Sequence, residues 1–221
     1  MISISNEDFL KQIYMLKSLG QKASTSALSK KLGISSAAVT DMSRKLDQQG
    51  YVNYRKYREI ELTPNGEKIA LGVVRRHRLW ELFLNRILDI PWDKVHAEAE
   101  RLEHHTSDFL IDEIDRFLNF PVVDPHGDPI PDKHGHLAEI EYIRLSEVNA
   151  PARVKLKRVT LHDAETLELL DRIYVAIDDE MNVSEYDADL HEYRIERNGS
   201  ETTIPEKAAG HILVELIVKK S

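Results

Sequence analysis

The sequence contains no cysteine, which excludes disulfides, zinc ribbons and thiolate nucleophiles and accords with a reducing compartment. No uninterrupted apolar run approaches the roughly 18–20 residues that span a bilayer, so no membrane partner is expected. The opening residues, Met1-Ile2-Ser3-Ile4-Ser5-Asn6-Glu7, lack a basic stretch leading into an apolar core, and no secretory signal is expected. Internal repeats and low-complexity tracts are also missing. These absences predict a soluble, cytoplasmic chain, and its 221 residues suffice for two or three small domains with real cores.

What is present is unevenly distributed. The net charge is −8, yet residues 1–66 carry ten Lys/Arg against six Asp/Glu, a balance of +4 that leaves −12 for the remainder. A basic head on an acidic body is the asymmetry expected when one end meets phosphate and the other does different work.

Apolar side chains recur at helical spacing over residues 6–19 (Phe9, Leu10, Ile13, Leu16), and Gly20 ends that pattern. Ser24-Thr25 predicts the start of a second helix running to Leu32, with Gly33 as its break and Ile34 plugging the turn. Ser35-Ser36 predicts a third helix with Val39, Met42 and Leu46 inward. Two short alternating segments, residues 51–54 and 59–62, flank the basic tip Arg55-Lys56-Tyr57-Arg58 and predict a two-stranded wing. Thr63-Pro64 opens further helices over about 67–88, 93–104 and 107–118. A proline-rich loop over 120–131 and a linker over 132–146 lead to period-two alternation at Val154/Leu156, Ile173/Val175/Ile177, Tyr193/Ile195 and Ile212/Val214/Leu216/Val218. A helical patch at Ala164–Leu170 interrupts it, and Asn198-Gly199 predicts a tight hairpin. The expected class is α+β: a winged helix-turn-helix (1–66), an all-α domain (67–140) and a compact β-barrel (150–221).

Two constellations carry chemistry. Ala27, Gly33 and Ile34 at this spacing let two helices cross closely, so that the second can enter a major groove. Its outward face offers Ser35, Ser36, Ala37, Thr40, Asp41 and Arg44, and the wing adds Arg55, Lys56 and Arg58 for phosphate contacts. A helical hairpin used only for packing is the alternative, and the basic wing tip argues against it. In the second constellation His77 and Glu81 lie four apart on one helix. His96, Glu100, Glu103 and His104 share one stripe of the next, while His105 points away. Imidazoles and carboxylates converging from two helices form a nitrogen/oxygen cage for a divalent transition ion. A solvated, ion-paired helix face is the blander alternative.

The run Arg76-His77-Arg78-Leu79-Trp80-Glu81 through Lys94-Val95-His96-Ala97-Glu98-Ala99-Glu100-Arg101-Leu102-Glu103-His104 resembles the metal-binding core of the diphtheria toxin repressor family. Residues 7–14, 39–42 and 124–131 resemble the same family, and the last 70 residues or so fit its SH3-like C-terminal domain by position. The resemblance implies a metal-dependent DNA-binding repressor acting as a homodimer on an operator that controls metal-uptake genes. It implies a regulatory site at Asp8, Glu100, Glu103 and His104, and an ancillary site at His77, Glu81 and His96. Asp124, His126, His162 and Glu165 are its weaker candidates for completing the second site. Iron-sensing members place sulfur ligands at the positions of Asp8 and Glu100, whereas this chain has carboxylates at both. Mn(II) is therefore the expected corepressor, with Fe(II) and other divalent ions as alternatives and no organic cofactor. Small manganese regulators without a third domain carry a glutamate where this chain has Lys11. The parallel is thus to the manganese-responsive branch that keeps the SH3-like domain and two separated sites.

In this reading Asp8, Glu100 and Glu103 repel one another without metal, which leaves the first helix loose until an ion pins it. The expected dimer seam comprises Val73, Leu79, Leu82, Phe83, Ile87, Phe109, Leu110 and Ile114. Two other classes stay open at this point. One is a metallohydrolase using Glu81 or Glu103 as general base, and the other is a winged-helix regulator sensing an organic ligand.

Overall fold

The computed structural model describes residues 3–138, 141–160, 164–173 and 175–217. It divides into two compact units: Met1–Trp80 with Ala99–Asn119 and Ile130–Leu137, and Glu81–Glu98 with Phe120–Pro129 and Ala138–Ser221.

The first unit begins with α1 (Ile4–Ser18), α2 (Thr25–Leu32) and α3 (Ser36–Gln48). The caps read from the sequence are in place: the Ser24 and Ser35 hydroxyls accept the backbone N–H of Ala27 and Ala38, each at 3.1 Å. Gly33 closes α2 at φ 65°, a left-handed conformation that glycine adopts without steric penalty. Phe9, Leu10, Ile13, Leu28, Val39 and Leu46 form one core with Val52 and Ile60 of the wing region. Each such side chain contributes roughly 1.5–3 kcal/mol on burial. The wing strands β1 (Val52–Asn53) and β2 (Glu61–Leu62) pair antiparallel, Val52 opposite Leu62.

Thr63 then ties the wing to α4 (Pro64–Leu88). Its hydroxyl donates to Gly50 O at 2.7 Å and accepts Gly66 N–H at 3.1 Å. A side chain at position 66 would place a Cβ 1.9 Å from Tyr51 O, so only glycine allows this approach. The remaining helices are α5 (Trp92–Glu103) and α6 (Asp108–Phe117), the latter capped by Ser107.

The second unit is built on a six-stranded antiparallel sheet of β3 (Ile143–Arg144), β4 (Ala152–Val159), β5 (Glu180–Asp187), β6 (Glu192–Arg197), β7 (Ser200–Pro205) and β8 (Ile212–Leu216). Its order is β3-β8-β4-β5-β6-β7. A bulge between Leu156 and Arg158 resets the alternation of β4, so Val159 rather than Arg158 turns inward. The Asn198-Gly199 hairpin joins β6 to β7, both residues at positive φ as a tight two-residue turn requires. The architecture is α+β, helices first and a small antiparallel sheet domain with short helices after.

Two expectations need correction. Ile173, Val175 and Ile177 do not form a strand. The helical patch extends as α7 (Ala164–Arg172), and the N–H groups of Ile173 and Val175 bond to Leu169 O and Leu170 O at its end. Those donors are therefore not available to a ladder. Val73, Leu79, Leu82 and Ile114 are buried within the chain itself and offer no seam. The exposed members of that set are Ile87, Phe109 and Leu110, and Phe117 joins them at 65% exposure.

Candidate metal centre and nucleic-acid interface

Helical spacing sets Lys11 one turn after the adjacent Glu7 and Asp8 on α1, beside the apolar stripe that buries Phe9, Leu10 and Ile13. Glu103 closes α5 and His104 follows it. Asp8, Glu103 and His104 each offer a ligand atom within 4.8 Å of the others. His104 Nε2 lies 2.8 Å from Asp8 Oδ1 and 3.1 Å from Glu103 Oε1, while its Nδ1 lies 2.7 Å from Glu7 Oε2. An imidazole facing carboxylates through both nitrogens is held as imidazolium. The hydrogen bonds to Asp8, then Glu103, then Glu7 raise the His104 pKa to about 11.

Glu103 is 1% exposed. Burial pushes its carboxyl up, but hydrogen bonds from His104 and His77 and the charges of His77 and Lys11 hold it well below the usual range. Lys11 donates to both of its oxygens, at 2.8 and 2.9 Å, and its Nζ lies 3.3 Å from His77 Nδ1. His77 Nδ1 in turn bonds Glu103 Oε2.

The expected mutual repulsion of Asp8, Glu100 and Glu103 is not what the structure shows. Glu7, Asp8 and Glu103 are bridged by His104 and Lys11, and α1 is already tied to the end of α5. Glu100 is exposed and does not belong to the group of three. It stands one helical turn before His104, at the edge of the same stripe.

The donors fit a divalent ion. The two oxygens aimed at His104 Nε2 mean that a cation replacing its proton would meet one nitrogen and two carboxylates, a set without sulfur.

A second group lies in the other unit, where Glu81, Asp124 and His126 are all buried, again with ligand atoms within 4.8 Å. His126 Nε2 is 3.0 Å from Trp92 O, and its ring stacks on Trp92 at 5.8 Å and 10°. A carbonyl acceptor requires the proton on Nε2, the outer-sphere arrangement common to ligating histidines, and Nδ1 faces the two carboxylates. Nδ1 lies 3.9 Å from Glu81 Oε2 and 4.0 Å from Asp124 Oδ1. Those gaps exceed a hydrogen bond. They are also wider than the roughly 3.3–3.6 Å that separates tetrahedral donors with bonds of about 2.0–2.2 Å, so an ion there would draw them inward.

The loop is fixed by Asp124 Oδ1, which accepts N–H groups of His126 at 2.8 Å and Asp128 at 2.9 Å. Gly127, at φ 82°, passes so close to β4 that a Cβ would meet Lys157 O at 2.0 Å. Glu81 Oε1 is also 3.1 Å from His96 Nδ1, with the His96 side chain 52% exposed. His77 stands one turn before Glu81 on α4. His162 and the side chain of Glu165 lie outside the described residues.

On the reading head, Ser35, Ser36, Ala37, Asp41 and Arg44 are exposed along α3, and Thr40 is half-buried with its hydroxyl donating to Ser36 O at 3.0 Å. Asp41 pairs with Arg44 at 3.7 Å. Arg55, Lys56 and Arg58 are exposed at the wing tip. Sequence reasoning passed over Tyr57, which is 90% exposed at φ 66° with Lys56 Nζ 4.9 Å from its ring centre. It also passed over Glu7 and the inward turn of Lys11. The signal available was the one-turn spacing of Lys11 from Glu7 and Asp8.

Comparison with known proteins gives a consistent set of relatives. Residues 1–60 match the family model for the iron dependent repressor N-terminal DNA binding domain, and residues 63–132 match the one for its metal binding and dimerisation domain. The chain is 40% identical over 120 residues to the HTH-type transcriptional regulator MntR of Bacillus pumilus, covering 54% of this chain and 83% of that protein. It is 29% identical over 178 residues to the iron-dependent repressor IdeR of Mycobacterium leprae, covering 76% and 77% respectively. A solved structure of a manganese-dependent transcriptional repressor in complex with manganese superposes with a TM-score of 0.87 at 32% identity, covering 96% of this chain and 99% of that one.

Proposed function

The chain belongs to the diphtheria toxin repressor family, and from that premise we propose a manganese-responsive repressor that acts as a homodimer on double-stranded operator DNA. The observation that carries the reading is the meeting of Asp8, on the first helix of the reading head, with Glu103 and His104 at the end of α5. Asp8, Glu103 and His104 are the regulatory ligands, with Glu100 swinging in from the edge of their stripe. Glu81, Asp124 and His126 form the second site, with His96 beside Glu81. Bound at the first group, a divalent ion supplies positive charge and a fixed geometry that a proton does not.

The residues do the rest. His104 releases the proton from Nε2, and Asp8 and Glu103 keep their oxygens aimed at it. Asp8 thereby fixes α1, whose Phe9, Leu10 and Ile13 share a core with Leu28 of α2 and Val39 and Leu46 of α3. The orientation of α3 follows from that of α1 through this common core. Ser36, Ala37, Thr40 and Arg44 then face the major groove, and Arg55, Lys56 and Arg58 the phosphates. Phe109, Leu110 and Phe117 on α6 supply the apolar seam of a two-fold dimer, so two heads meet two half-sites. The three functional segments are 1–66, 67–140 and 150–221, and the place of action is the cytoplasm, where the DNA is.

Manganese is favoured over iron because every donor is an oxygen or an imidazole nitrogen. The chain has no cysteine, and its four methionines (Met1, Met15, Met42 and Met181) are not at these positions. A hydrolase reading is disfavoured because Glu103 is engaged by Lys11, His77 and His104 and has no freedom to act as a base. The test is fluorescence anisotropy on operator DNA with chelator, then with Mn(II), Fe(II), Co(II) and Zn(II) in turn. Tight binding only with a divalent ion, and with Mn(II) at its intracellular range, is expected. Equal affinity in chelator and in metal defeats the repressor mechanism, and a response confined to Fe(II) defeats the manganese assignment.

A further inference from the structure

Lys11 belongs to the α1–α5 group yet offers no metal ligand. Its side chain is 6% exposed, and its ammonium donates to Glu103 Oε1 at 2.8 Å and Oε2 at 2.9 Å. Both oxygens of the most buried carboxylate in the group are therefore occupied by a fixed positive charge. We propose that Lys11 is a resident counter-ion of the regulatory group, holding Glu103 and with it α1 in the ion-free state, so that an entering divalent ion must take Glu103 from it. The proposal rests on the reading of Asp8, Glu103 and His104 as regulatory ligands.

The consequence is a threshold and a floor. A divalent ion sharing a carboxylate with an ammonium meets a like charge a few ångströms away in a poorly solvated place, which raises the concentration of ion needed. Without any ion, the same ammonium still links α1 to the end of α5, so the reading head never becomes wholly free. Lys11 is thus a positioning residue that sets the span of the switch from both ends. A merely structural buried pair predicts something different. Replacing Lys11 by an apolar residue of similar length then alters stability and leaves ion affinity unchanged or weakened.

The experiment uses the full chain in an Asp124→Asn background, which disables the second group, with Mn(II) titrated calorimetrically. Lys11→Met is expected to bind Mn(II) about tenfold more tightly than its parent, because the competing charge is gone. In chelator, the same variant is expected to lose amide-exchange protection across Ile4–Ser18 and to regain it on adding Mn(II). The parent keeps much of that protection in both conditions. Lys11→Gln keeps a donor toward Glu103 without the charge, and it should show the affinity gain with a smaller loss of protection; it serves if the methionine variant does not fold. Mn(II) affinity unchanged within threefold, or weakened, in the folded variants overturns the proposal. Asp8→Ala in the same background checks the underlying reading separately. If that change leaves Mn(II) affinity intact, the ligand assignment has failed, and the role of Lys11 falls with it.

Discussion

The two groups differ in how their donors are held apart. Around His104 the distances are those of hydrogen bonds, 2.7 to 3.1 Å, and a proton and an ammonium already sit among the carboxylates. Around His126 the donors stand 3.9 and 4.0 Å apart, with the ring fixed by a carbonyl on its other side and stacked on Trp92. On the proposed reading the first is an exchange site, where a metal would displace cations that are part of the protein. The second has its donors set wide, with the ring and the loop fixed from outside. A sensor benefits from the first kind, because the displaced charges set the concentration at which it responds. A structural clamp benefits from the second.

The contrast can be broken at several points, and the largest effect is expected at His104. His104→Ala removes the nitrogen ligand and the proton carrier together, and metal-dependent DNA affinity should fall by about 100-fold. Anisotropy on operator DNA measures it, and the second group should still bind Mn(II) by calorimetry. Retention of full response locates the sensing site elsewhere.

Acidity sharpens the same comparison. With the His104 pKa raised to about 11, the proton is bound throughout the neutral range and must leave when metal enters. Apparent Mn(II) affinity at the first group should therefore rise by about one log unit per pH unit between pH 6 and 8. A group whose folded pKa is raised stabilises the fold below its ordinary value, near 6.5, and that contribution is lost as pH climbs through about 11. In chelator, the hold on α1 should accordingly persist at neutral pH and fail only in strong alkali, as amide exchange across Ile4–Ser18 will report.

Gly127→Ala attacks the second group alone. The clash with Lys157 O displaces the loop that carries Asp124 and His126, at a cost of about 1–3 kcal/mol. Thermal unfolding should shift down by a few degrees, and Mn(II) affinity at that group should weaken about tenfold, with the first group unchanged. Weakening at both groups together would dissolve the distinction between them. The smallest effects are expected on the wing, where Arg55→Ala, Lys56→Ala and Arg58→Ala should each flatten the salt dependence of DNA binding by about one unit of log-log slope. Unchanged slopes in all three place the phosphate contacts elsewhere.

Much of this was legible in the sequence because it follows from period and caps. Helical spacing alone put Glu103 and His104 on one stripe, and Ser24, Ser35 and Thr63 marked helix starts that the structure places at Thr25, Ser36 and Pro64. Asp8 required the family resemblance, since nothing in its own helix distinguishes it from a surface acid. Lys11 was illegible as a buried charge because it borders the apolar stripe of α1, and only packing against α5 decides which way such a side chain turns. The seam residues failed for a related reason. Periodicity identifies an apolar face without saying whether it meets the same chain or another, so Leu79 and Leu82 looked no different from Phe109. The alternation at Ile173, Val175 and Ile177 failed because a helix end inserting one apolar residue into a core imitates a short strand.

The knot at Thr63 has a consequence for how such a molecule changes over time. Its hydroxyl and backbone fasten the end of α3, the first wing strand and the opening turn of α4 into one piece. A head built that way has no internal joint, so its recognition helix and wing reach the DNA together or not at all. Substitutions among the metal donors can then retune the ion that is sensed without altering how the double helix is gripped. Substitutions on α3 can likewise change the operator without touching the sensor. The two traits are free to drift separately because one rigid block stands between them.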